Sequence, residues 1–253
     1  MDFVALLGLI IGICAVVVGN LVEGGTTGHL VQLAAAIIVF GGTAGAVLLS
    51  FPYKDLKIAF KSLKLIFINR KISYQETIDL ILELLILARR RGLLTIQNEL
   101  DRIKDPFLRR GLTYIVDGLN SNLIKDALER EILAYEEMLK KASRVFESAG
   151  GYAPTIGIIG AILGLIHVLK NVADPTKIGV GIATAFVATI YGVGSANLLF
   201  IPISKRLINK MEEEIIMMEL MIEGILGIEA GMNPYYLRAK LEAFINERQK
   251  ERL

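Results

Sequence analysis

Four stretches of this chain, Phe3–Val22, His29–Phe51, Ser148–Leu169 and Ile178–Ile203, contain no Asp, Glu, Lys or Arg. About 20 helical residues cross the hydrocarbon core of a bilayer, so each stretch is long enough to span one. A water-soluble fold of 253 residues seldom hides so many uninterrupted apolar runs. The pattern predicts an all-α integral membrane protein with four transmembrane helices, a large helical cytoplasmic loop and a helical tail.

The charged residues fix the orientation. Of the 28 Lys and Arg, 18 lie in 52–147 and 8 in 204–253. Lys170 and Lys177 sit in the short link between the third and fourth stretches, and Glu23–Gly28 has no basic residue. Basic loops stay in the cytoplasm. The long loop and both termini are therefore expected inside, in the inner membrane, and the two short links outside. The division reads as 1–51, spans one and two; 52–147, cytoplasmic loop; 148–203, spans three and four; 204–253, cytoplasmic tail. The opening Met-Asp-Phe-Val has no basic n-region, which predicts no cleaved signal peptide. Cys14, the single cysteine, rules out a disulfide or thiol metal site within one chain.

Beyond Pro52, Lys54, Lys57, Lys61 and Lys64 recur at helical spacing, and Leu56, Phe60, Leu63 and Phe67 recur on another face. This is an amphipathic helix suited to the inner leaflet, its lysines near anionic head groups. The competing reading is an amphipathic helix packed on protein. Ser73 and Glu76 form a capping-box pattern, and Ile78, Ile81, Leu82 and Leu85 follow at helical spacing until Gly92 ends the helix after Arg89-Arg90-Arg91. A second helical piece, Leu123 to Val145, runs straight into span three, so cytoplasmic movement would reach the membrane mechanically. Lys205–Ile228 continues span four, Asn233-Pro234 breaks it, and Leu237–Arg248 forms a short terminal helix.

Gly8/Gly12, Gly41/Gly45 and Gly160/Gly164 have the spacing that lets membrane helices approach closely. Pro154 and Pro202 stand at the cytoplasmic ends of spans three and four. They read as hinges at one membrane depth or as helix punctuation. Intramembrane acids normally mark ion paths. With none here, any titrating carboxylate must come from another chain, and Thr155, Thr184, Thr189, Tyr191, Ser195 and Asn197 are the polar groups left to line a route. The plainer fate of such hydroxyls is a bond to their own helix. His29 and His167 read as interfacial. No phosphate loop, zinc motif or nucleophile elbow is present, so no enzyme active site and no cofactor is expected.

The chain resembles, over essentially its full length, the A subunit of the bacterial flagellar stator, the MotA/PomA/MotP family. The resemblance rests on Arg89-Arg-Arg-Gly-Leu-Leu94, Tyr152-Ala-Pro-Thr-Ile-Gly157, Ala188-Thr-Ile-Tyr-Gly192, Asn197-Leu-Leu-Phe-Ile-Pro202, Ile222-Glu-Gly-Ile-Leu-Gly227 and Asn233-Pro234. It implies a homopentameric ring around two MotB/PomB-type single-span B subunits that supply the ion-binding aspartate. It also implies torque on the rotor protein FliG, membrane lipid as surroundings and no nucleic-acid partner. By the same resemblance Pro154 and Pro202 are coupling prolines, Thr155, Thr189 and Tyr191 lie on the ion pathway, and Arg89 or Arg90 faces the rotor. Gln97 stands where the family carries a rotor-facing glutamate, and Glu99 is the substitute. Thr189, Tyr191-Gly192 and Asn197 with Pro202 resemble the sodium branch, whereas Ala161 and Ala188 replace threonines common in it. The transported ion is thus Na⁺ or H⁺. The alternative is an ExbB/TolQ-type proton-channel energiser, whose members typically have three spans and an outside N-terminus.

Overall fold

The computed structural model describes residues 3–67 and 73–251, without the side chains of Thr27, His29, Phe67, Lys177 and residues 246–251. The expectations for His29, Phe67 and Arg248 as side chains therefore fall outside the described residues. The described residues form helices joined by short turns, with no strand among them. In order come α1 (Phe3–Val22), α2 (Leu33–Ser50), α3 (Tyr53–Phe67), α4 (Tyr74–Arg91), a 3₁₀ stretch (Leu93–Arg102), α5 (Pro106–Val116), α6 (Ser121–Lys170), α7 (Pro175–Ser195), α8 (Ile201–Glu229) and α9 (Pro234–Glu251). Four helices are long and apolar enough to cross a membrane.

Local chemistry accounts for the helix ends. Ser73 accepts a hydrogen bond from the Glu76 amide at 3.2 Å, the first half of the expected capping box. Asp105 caps α5 by accepting from the amides of Phe107 and Leu108, with Pro106 at the position where a missing N–H costs nothing. Pro234 likewise starts α9, with the Asn233 side chain accepting from the Tyr235 amide. Gly92 stops α4 with φ +90°, a conformation that other residues adopt at a cost.

Two compact units result. One comprises residues 1–69 with 138–210 and holds α1, α2, α3, α7 and parts of α6 and α8. The other comprises 70–137 with 211–253 and holds α4, the 3₁₀ stretch, α5, α9 and the remaining parts of α6 and α8. α6 continues without interruption for 50 residues, as the reading of 123–145 running into span three requires. In the second unit Ile78, Ile81, Leu85, Leu108, Leu112 and Leu128 are buried with Leu220 and Ile225 in one core.

α3 departs from the expected division of faces. Leu56, Ala59 and Ile66 are buried among Ala142, Val145, Phe146 and Leu207, so the helix packs on protein. Phe60, expected on the apolar side with Leu56 and Leu63, is instead 67% exposed beside the lysines. The buried face is turned toward the small residues Ala59 and Ser62, which permit close packing, and the bulky ring is left outside.

Candidate functional site

In the first unit α6 and α7 meet along a seam of residues with little or no side chain. A methyl on Gly157 would lie 2.9 Å from the Ala188 carbonyl oxygen, and one on Gly164 2.7 Å from that of Gly181. One on Gly192 would lie 2.5 Å from the Ala153 carbonyl oxygen and 3.2 Å from Pro154 Cα. Of the glycine pairs picked out by spacing, Gly160 and Gly164 join this seam, and Gly12 touches Leu198. A methyl on Gly8, Gly41 or Gly45 would meet nothing within 4 Å among the described residues, whereas one on Gly42 would meet Ile156. The seam partners Gly157, Gly181 and Gly192 were missed in the sequence, although Gly181, Ala185, Ala188 and Gly192 recur at steps of four, three and four.

The seam places Pro154 level with Gly192. Farther along α6, where α8 continues the line of α7, buried Ser143 and Ser204 join through their hydroxyls at 2.8 Å. Pro202 therefore lies near the level of Ser143, more than two helical turns from Pro154. The reading of two hinges at one depth is corrected accordingly. Both prolines sit inside continuous helix and end neither one. Pro202 follows a π-helical turn, Ala196–Phe200, in which the Ile201 amide bonds back to the Ala196 carbonyl. That wider turn is what a helix adopts where proline removes the next donor and crowds the preceding carbonyl.

The hydroxyls proposed for an ion route are engaged locally. Thr155 donates to the Tyr152 carbonyl at 2.8 Å and Thr189 to that of Ala185 at 3.2 Å. Thr184, Ser195 and Asn197 bond back to Val180, Gly192 and Val193, and the Thr184 hydroxyl also lies 3.4 Å from Gln32 Oε1 before α2. Tyr191 does something else. Its hydroxyl donates to the Leu30 carbonyl and accepts from the Gln32 amide, and its ring stacks on Phe40 with centroids 5.6 Å apart. It thereby clamps the entry of α2 to α7. Thr155 is exposed and Thr189 half-buried, and no hydrogen bond joins Thr155, Thr189 and Tyr191 to one another among the described residues. The surrounding surface is apolar: Ile158, Ile159 and Ile162 on α6 and Ile182, Phe186 and Ile190 on α7 are all exposed.

In the second unit the candidate rotor-facing residues separate by their partners. Arg89 donates to the Met232 carbonyl at 3.0 Å, tying the end of α4 to the turn before α9. Arg90 and Gln97 are exposed and make no hydrogen bond or ion pair among the described residues. Glu99 pairs with Arg102 at 2.7 Å, and Arg102 also binds Glu83 at 2.7 Å. The hydrogen bond to Glu83 is the main influence raising the Arg102 pKa above its ordinary value, against a smaller opposing effect of desolvation. This three-residue cluster joins α4 to the 3₁₀ stretch and was not legible in spacing.

Comparison with known proteins matches residues 6–92 to the family described as motility protein A N-terminal, and residues 99–220 to the MotA/TolQ/ExbB proton channel family. The chain is 38% identical to the protein YtxD of Bacillus subtilis (strain 168), covering 96% of this chain and 90% of that one. It is 35% identical to motility protein A of Helicobacter pylori (strain ATCC 700392 / 26695), covering 97% and 95%. The structure of the flagellar MotAB stator complex from Bacillus subtilis superposes with a TM-score of 0.90 at 33% identity, covering 98% of both chains.

Proposed function

The chain belongs to the MotA/TolQ/ExbB proton channel family, in its motility protein A branch, and from that membership we infer its work. It is an A-type stator subunit of a bacterial flagellar motor, forming with a B subunit an ion channel that converts ion-motive force into torque. The ExbB/TolQ-type reading is not favoured, because the match to the motility protein A N-terminal family takes in the first two spans and the following helices.

The observation that carries this function into mechanism is the uncharged face of α6 and α7 around Pro154 and Thr155, left open by the chain itself. With no acid in the four spans, the group that carries the ion is supplied by the B subunit as a carboxylate. Its protonation or ion occupancy changes the charge presented to this face. The rigid seam at Gly157 and Gly192 means that the response is a movement of α6 and α7 together, with Pro154 supplying the interruption in the hydrogen-bond ladder. Five copies surround the B subunits in the bacterial inner membrane, with both termini and the long loop cytoplasmic. Arg90, exposed and without a hydrogen bond or ion pair among the described residues, is the primary contact to FliG, with Gln97 and Glu99 as its companions. Arg89 serves its own unit through Met232.

The coupling ion is Na⁺ or H⁺. A Na⁺ route needs oxygen atoms that replace water, and the Tyr191 hydroxyl is already committed to backbone at Leu30 and Gln32. Swimming speed in a host lacking its own stator, given this chain and its B partner, tests the function and the ion together. Speed that follows Na⁺ and survives a proton uncoupler assigns sodium. Speed indifferent to Na⁺ and abolished by the uncoupler assigns protons. Unimpaired motility of both Pro154→Ala and Thr189→Val would overturn the mechanism.

A further inference from the structure

α3 is packed on protein along Leu56, Ala59 and Ile66, yet its opposite face is built for something else. Lys54, Lys57, Lys61 and Lys64 are all exposed there, and none makes an ion pair among the described residues. Asp55, the one acid of the helix, is half-buried away from that face. An aromatic edge borders the lysines, with Tyr53 76% and Phe60 67% exposed. On the last turn of α2, just before this helix, Leu48 and Leu49 are also 65% and 91% exposed. Only Phe51 and Pro52 separate α2 from α3, so the helix starts where a membrane span ends. Apolar residues on a span, then aromatics, then lysines follow the order of acyl chain, interface and phosphate in a bilayer.

We propose that this face of α3 binds anionic phospholipid, with Tyr53 and Phe60 at the acyl boundary and Lys57, Lys61 and Lys64 on the phosphates. The contact differs from that of an ordinary amphipathic surface helix, whose whole apolar face enters the membrane. Here protein takes the aliphatic face, and lipid takes the aromatic edge and the basic face. Such a site attaches the span-forming unit laterally to its lipid and favours membranes rich in phosphatidylglycerol-type lipid. The inference rests on the membrane placement of the chain and needs nothing from torque generation.

The chain contains no tryptophan, so Phe60→Trp installs a probe whose signal is read against the parent complex. The complex of this chain with its B partner, reconstituted in bilayers, is titrated with acyl-brominated phosphatidylglycerol or phosphatidylcholine, and tryptophan quenching is measured. The expected result is quenching with about a fivefold preference for phosphatidylglycerol, falling to near none when Lys57, Lys61 and Lys64 are all changed to Gln. Size-exclusion behaviour identical to the parent shows that the variants assemble. Quenching equal for the two lipids and unchanged by the Lys→Gln variant would overturn the anionic site. No quenching by either lipid would overturn the lipid contact altogether and leave the face to water or protein. Swimming is not the readout, so failure here leaves the stator function standing.

Discussion

The two units of this molecule keep their shape by different means. Of the twelve largest fully buried side chains, ten belong to the second unit, from Ile78 to Leu128, and only Leu139 and Leu207 to the first. The second unit is held as a water-soluble domain is, by branched side chains withdrawn into one core. The first instead brings backbone against backbone at Gly157, Gly164, Gly181 and Gly192, and leaves its large apolar residues outside. Lipid is as apolar as leucine, so burying leucine there gains little, whereas close helix contact and satisfied polar groups still count. The lesson is that tolerance to a small change depends on what the change meets. In one unit it meets flexible side chains, in the other the backbone.

One methyl group added in each unit puts that contrast to its hardest test. Gly192→Ala would press Cβ onto the Ala153 carbonyl at 2.5 Å and the Gly157 Cα at 3.0 Å, and neither atom can rotate away. The expected outcome is loss of the assembled A/B complex from detergent extracts, read by size exclusion. Gly111→Ala meets instead the methyl tips of Ile225 and Leu128, which can change rotamer. Overpacking of about 1–3 kcal/mol, offset by roughly 1 kcal/mol of helix propensity, leaves a complex that assembles with a modestly lower Tm. Equal damage from the two substitutions would break the comparison.

Pro154→Ala asks whether the first unit's rigidity serves function or only stability. The substitution restores an amide that can bond to the Gly150 carbonyl, so the helix gains propensity. We expect undiminished assembly with swimming reduced to under a tenth. A mutant that swims normally would leave Pro154 without a part in coupling.

How far the sequence foretold these structures follows from the range of the forces involved. α1 coincides with the expected Phe3–Val22, and α4 ends at Gly92 as expected, because hydropathy and capping are local. What escaped depends on residues far apart in sequence. The Tyr191 clamp joins positions some 160 apart, and Arg89 reaches Met232. The outward turn of Phe60 has the same origin, since the helix period names an apolar face and its neighbours decide which part is covered. The 3₁₀ stretch Leu93–Arg102 was missed even though Leu93, Ile96 and Leu100 recur at steps of three and four, a helical period in a run too short to stand out beside α4. At the candidate site the prolines and hydroxyls could be named, but their relative depth along α6 and α7 needed the register of the seam.

Arg89 and Arg90 are neighbours with opposite expectations. Arg89→Ala removes the bond to the Met232 carbonyl and should cost the second unit about 1–2 kcal/mol, visible as a lower Tm. Arg90→Glu removes no hydrogen bond or ion pair among the described residues. It should leave Tm unchanged within error while lowering swimming speed several-fold, and a compensating charge reversal on the rotor should restore it. A stability loss from Arg90→Glu equal to that from Arg89→Ala would show that both are structural.

The smallest effect concerns Glu99, the acid proposed to act with Arg90. Glu99, which the resemblance offers as the substitute for an acid absent at Gln97, shares its charge with Arg102, which also holds Glu83. These groups are substantially solvent-exposed, so after screening the pair contributes only about 0.2–1 kcal/mol. Arg102→Ala should therefore barely move Tm, and the difference should vanish in high salt. Its effect on the rotor should be larger than on the fold, because Glu83 and Glu99 then lose the cation they share. If Glu99 is the working acid, Arg102→Ala alters swimming in low salt and Glu99→Gln abolishes that alteration. If Arg102→Ala swims as the parent does in both backgrounds, the acid half of the rotor contact lies elsewhere, and Arg90 acts without it.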